Sequence, residues 1–176
     1  MIRKTLAKLR PFKRSEAGNA TIEFVMLVPW FLALLVAGGE LSIITMQHAA
    51  LERGVDLIVR DIRLGTGTNW DHDEIKTRIC DVSGIQDCDG NLRLQMVKQD
   101  AFQGITLSDQ IPCTDSSEDP KPVLDFKSGQ SNELMILRAC LRIDPVLETS
   151  AIAKVVPDGS GHYAVTATTA FVQEPI

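Results

Sequence analysis

Charge is missing from Phe24 to Gly39, and between Ala20 and Met46 only Glu23 and Glu40 carry any. Aromatics are scarce at 5%, with a single tyrosine. No basic stretch is interleaved with aromatic residues, which argues against single-stranded nucleic acid as a partner. The four cysteines contain no C-x-x-C pair, and His72 and His162 are scattered, so a zinc site finds little support. Asp71-His72-Asp73-Glu74 has no glycine-bearing calcium-loop spacing after it. Gly159-Ser160-Gly161-His162 is followed by neither a lysine nor a helical pattern, which removes the phosphate-loop reading. Ser160 and His162 are too close, and lack a third group, for nucleophilic catalysis. The sequence offers no catalytic constellation and calls for no cofactor.

What is present is one long apolar run. A bilayer core about 30 Å thick needs about 20 helical residues, and Ala20–Met46 supplies them. Pro29 lies inside the run and predicts a kink near Val28. Gly38-Gly39 lacks a G-x-x-x-G frame, so it is weak evidence for helix packing. The helical period continues beyond the run. Leu41, Ile44, His48, Leu51, Val55, Ile58 and Ile62 recur at spacings of three and four, and Gly65-Thr66-Gly67 ends the pattern. One helix from about residue 20 to 64 would be about 65 Å long, with an amphipathic second half.

Charge divides the chain. Residues 1–17 hold six basic residues and one acid, whereas 47–176 hold 12 basic and 20 acidic residues. A solvated tail or a nucleic-acid arm could explain the basic cluster. A topology signal explains it better, because an apolar segment follows directly and positive flanks stay cytoplasmic. The inner membrane would then be crossed once, with the C-terminal part in the periplasm. All four cysteines, Cys80, Cys88, Cys113 and Cys140, lie in that part and read as two disulfides. Closeness in sequence favours Cys80–Cys88, which leaves Cys113–Cys140.

The expected fold is α+β, a long N-terminal helix packed on a small antiparallel sheet. Asn69 or Asp71 caps a short helix that Cys80 closes, with Ile75 and Ile79 inward. Residues 81–91 read as a polar loop. "NLRLQMVKQ" alternates as a half-buried strand, and "NELMILRACLRI" reads as a central strand. "HYAVTATTAFVQ" places Tyr163, Val165, Ala167, Thr169 and Phe171 on one face. Residues 100–132 are irregular and rich in Asp, Ser, Pro and Gly.

A plain anchor explains the N-terminus except for Glu23. A secretory signal peptide, cut near Val36-Ala37-Gly38-Gly39, leaves the same acid inside its apolar region. A third account rests on "EAGNATIEFVMLVPWFLALLVAGGEL", on "LRACLRIDPV" and on the closing "HYAVTATTAFVQEP". Together these resemble a TadE-like pseudopilin of the tight-adherence (Tad) pilus system, of the type IVb pilin class. The resemblance implies cleavage by a membrane-embedded prepilin peptidase between Gly18 and Asn19. Residues 1–18 are then a leader, 19–46 a membrane helix and 47–176 the exported domain, with Glu23 fifth in the mature chain. It implies a non-enzymatic role in pilus assembly and adhesion. The implied partners are the peptidase, other pilin or pseudopilin subunits, the inner-membrane assembly platform and membrane lipid, with no nucleic acid. The new amine at Asn19 would lie about 6 Å along the helix from Glu23, on the same face. By analogy with pilins, that amine neutralises the glutamate of a neighbouring subunit. The rival reading is a membrane-anchored periplasmic enzyme or binding domain.

Overall fold

A computed structural model describes residues 19–65, 70–100, 102, 126–145 and 162–174. Helix α1 spans Asn19–Arg63, 45 residues, and continues through Pro29. The chain divides into two units between Gly39 and Glu40.

In the first unit α1 presents its apolar side chains outward. Phe24, Met26, Leu27, Trp30, Phe31 and Leu34 are all at least 60% exposed. The helix is long and apolar enough to cross a membrane, and none of its most apolar window is buried within the protein. Exposing so many large side chains to water would forgo several kcal/mol of burial, at about 1.5–3 kcal/mol each. A contiguous apolar surface of this size calls for an apolar surrounding.

In the second unit the same helix changes environment. Leu51, Val55, Ile58 and Ile62 are at most 3% exposed and form the helical side of the core. They face a three-stranded antiparallel sheet, order β1-β2-β3. Strand β1 spans Leu92–Gln99, β2 Leu134–Ile143 and β3 Tyr163–Val172. Leu92, Leu94 and Met96 point inward from β1, and Tyr163, Val165, Ala167 and Phe171 from β3. Strand β2 is central, and both its faces are covered: Leu137 and Ala139 on one side, Ile136 and Cys140 on the other, are all at most 2% exposed. Pairing is unbroken over all ten residues of β2 and β3, from Leu134 opposite Val172 to Ile143 opposite Tyr163. The α+β arrangement therefore stands.

Helix α2, His72–Ser83, buries Ile75 and Ile79 against this core. Asp71 caps it: its Oδ1 accepts from the His72 N–H at 2.8 Å. The helix does not stop at Cys80. It runs to Ser83 because Gly84 supplies the left-handed C-cap, φ +64°, whose N–H reaches the Cys80 carbonyl. The expected loop after it contains a single helical turn, α3, Cys88–Asn91. The Cys80–Cys88 disulfide clips that turn to α2. Cys140 is also disulfide-bonded, but Cys113, and with it the second expected bridge, lies outside the described residues. So does most of the irregular stretch, residues 103–125.

Gly54 marks where α2 crosses α1. A Cβ there would meet the Ile79 carbonyl oxygen at 3.1 Å and Ser83 Cβ at 3.3 Å. A mid-helix glycine costs about 1 kcal/mol relative to alanine. Here it allows two helices to pass closely.

Candidate functional site

Two acids on α1 carry the interest, and they lie in different units. Glu23 is in the first unit, four residues after the start of α1, and its side chain is exposed. Asn19 is the first residue of the helix. Gly18 and the basic residues before it lie outside the described residues. Four residues of helix advance about 6 Å and bring the chain back to nearly the same face. A charge on an otherwise apolar surface of this length requires a counter-charge or water wherever it is placed in lipid.

Glu40 opens the second unit and is 4% exposed. Its Oε1 accepts from the hydroxyl of Tyr163, the first residue of β3, at 3.2 Å. Its Oε2 is buried and has no hydrogen-bond partner among the described residues. The sequence pattern places Glu40 inside the 19–46 membrane helix and begins the buried stripe at Leu41. Leu41 is 52% exposed. The spacing held the correct answer, since Glu40 precedes Ile44 by four residues and Ile44 precedes His48 by four. Hydrophobicity alone hid it, because the residue at the inward position is an acid.

Further contacts tie α1 to β3 in order along both. His48 Nε2 donates to the Thr166 carbonyl at 3.2 Å. Gln173 Nε2 donates to the Ile62 carbonyl at 3.0 Å, and Gln173 is 8% exposed. Arg63 donates from Nε and Nη2 to Glu174 Oε1, both at 3.1 Å. Strand β3 thus runs parallel to α1. The two rises agree: 23 residues of helix and 11 of strand each cover about 35 Å. Gln173-Glu174, read above only as a family ending, caps the last turn of the helix, where carbonyls lack intrahelical partners.

Other polar contacts also join distant parts of the chain: Ser128 Oγ donates to the Trp70 carbonyl at 3.3 Å. Lys98 forms an ion pair with Glu133, and the Gln130 N–H also reaches that carboxylate. The Lys98 hydrogen bond, helped by Gln130, holds the Glu133 carboxyl below its usual range. Among the described residues no group of three or more His, Cys, Asp or Glu is placed to hold a metal ion. No protein-family model, curated protein or solved structure matches the chain.

Proposed function

We propose that the chain is a TadE-like pseudopilin, a non-enzymatic assembly subunit of a Tad-type pilus. On this reading it is held in the bacterial inner membrane by the first part of α1, with the disulfide-bearing domain in the periplasm. A prepilin peptidase cuts after Gly18, and the ammonium freed on Asn19 pairs with Glu23 of a neighbouring subunit in the apolar phase. Other pilin or pseudopilin subunits and the inner-membrane platform are the partners. The observation that carries the reading is one continuous helix whose first half is apolar and unburied and whose second half is the core of a small α+β domain. That layout gives one element both a membrane role and a folding role. Glu23 supports it further, because a plain anchor has no use for an acid there. The quoted sequence resemblance supplies the name.

Mass measurement of the mature N-terminus in the native cell tests the proposal. A chain beginning at Asn19 is expected; an intact leader, or an end after Ala37 or Gly39, overturns it. Glu23→Ala is expected to leave insertion and cutting intact while abolishing incorporation into pili. Normal piliation in that variant would remove Glu23 from the mechanism.

A further inference from the structure

We propose that the folded domain is seated on the bilayer, with Leu41, Ile43 and Met46 of α1 and the Glu40–Tyr163 end of the sheet in the lipid headgroup layer rather than clear of it in water. The inference rests on the membrane placement of α1 proposed above and is separate from the pilus reading.

The outward positions of α1 change character partway along the domain. From residue 41 to 49 the exposed ones are Leu41, Ser42, Ile43, Thr45, Met46 and Ala49, without a charge. From residue 52 to 63 they are Glu52, Arg53, Asp56, Leu57, Arg60 and Arg63, all charged but one. The inward side packs on the core in both stretches, through Ile44 in the first and Leu51 to Ile62 in the second, so packing does not account for the change. Met46 is 73% exposed, and Leu41 and Ile43 at least 41%.

Polar groups in the uncharged stretch are turned away from the outside. The Thr45 hydroxyl donates to the Leu41 carbonyl at 2.8 Å, which satisfies it without water. Glu40 points into the domain and is held by Tyr163. This surface continues, on the same helix, the exposed apolar run from Ile22 to Val36. That continuity names lipid as its cover.

The depth is bounded from both sides. A hydrocarbon core about 30 Å thick takes about 20 helical residues, and headgroups add about 5–8 Å on each side. Residues 20–39 fill the core, and Glu40 to Met46 advance about 9 Å more. The sheet reaches the same level. Tyr163 stands beside Glu40 and pairs with Ile143, and Ala164 pairs with Arg142. At this end Arg142 donates to His162 at 2.7 Å, and Asp144 lies beside both. Asp144 is exposed, and an exposed carboxylate is costly in hydrocarbon. Tyrosine and arginine suit the headgroup layer, where an apolar body and a polar tip are both accommodated. The uncharged face of α1 thus keeps this end out of bulk water, and Asp144 keeps it out of the core.

The test is spin labelling of the full chain in vesicles of phosphatidylethanolamine and phosphatidylglycerol. Leu34→Cys, Ile43→Cys, Met46→Cys, Leu57→Cys, Ala164→Cys and Val172→Cys, all at exposed positions, each carry one nitroxide. Relaxation is read with dissolved oxygen, with a soluble nickel chelate and with a nickel-chelating lipid whose metal stays at the headgroups. The label at position 34 should respond most to oxygen, and those at 57 and 172 most to the soluble chelate. Labels at 43, 46 and 164 should respond most to the chelating lipid, several-fold above those at 57 and 172. Two positions on the helix and one on the strand guard against a label that disturbs the fold. If these three behave like position 57, the domain stands clear of the lipid and the proposal fails while the membrane placement survives. If position 34 also follows the soluble chelate, the membrane placement itself fails. Spin–spin broadening at position 46 that dilution with unlabelled chain removes gives the face to a second copy and likewise overturns the proposal.

Discussion

Burying a carboxylate is expensive unless its lone pairs are met, and Glu40 meets one of its two oxygens. Removing the Tyr163 hydroxyl leaves both without a donor among the described residues. Tyr163→Phe is therefore expected to destabilise the domain by about 1–3 kcal/mol, whereas Glu40→Gln keeps an acceptor for that hydroxyl and should cost less. Thermal unfolding of the two variants in the same detergent checks the order. Glu133 gives a prediction of another kind. Its carboxyl is held low by Lys98, so its folded pKa lies below its unfolded one. The stability it contributes is present above the ordinary glutamate value of about 4.3 and is lost as pH falls through the lower folded value. Lys98→Met should return the Glu133 titration, followed by carboxyl NMR, towards the ordinary range and shrink that acid-side loss.

At the scale of elements, periodicity carried most of the fold. Inward positions on α1 from Leu51 onward, Ile75 and Ile79 on α2, and the alternating faces of β1 and β3 were all legible, because one apolar side faces one core. Three features were not. Glu40 occupies an apolar position with an acid, so the stripe was started one residue late. The end of α2 depends on the left-handed cap at Gly84 rather than on Cys80. The edge contacts of Gln173 and Glu174 join residues 111 apart in sequence, which no local pattern encodes. Gly54 lies between these cases. The sequence reading did not single it out, although it stands three residues after Leu51 and four before Ile58; its need to be small comes from the Ile79 carbonyl 3.1 Å from a notional Cβ. Gly54→Ala should be close to neutral, since about 1 kcal/mol of helix propensity offsets a tight contact. Gly54→Val should cost about 1–3 kcal/mol by overpacking. Chemical denaturation of both variants distinguishes this close crossing from a merely tolerated glycine.

For the whole molecule, the closing contact is between the end of the chain and the end of its long helix. Gln173→Ala removes one side-chain hydrogen bond to the Ile62 carbonyl, which still accepts from the Gly65 N–H. The expected loss is about 0.5–1.5 kcal/mol; at about 3–5 °C per kcal/mol for a domain between the 100- and 150-residue classes, the midpoint should fall by a few degrees in a melting curve. The parallel run of α1 and β3 also fixes an order of events. The helix is made before the three strands and β3 follows the other two, so the inward side of residues 40–63 is not fully covered until Tyr163–Val172 has been synthesised. Such long-range pairing is slow to form. Maturation of the domain is thereby tied to synthesis of β3, and a product truncated before Tyr163 would leave Glu40 without its tyrosine hydroxyl and the core without the third strand.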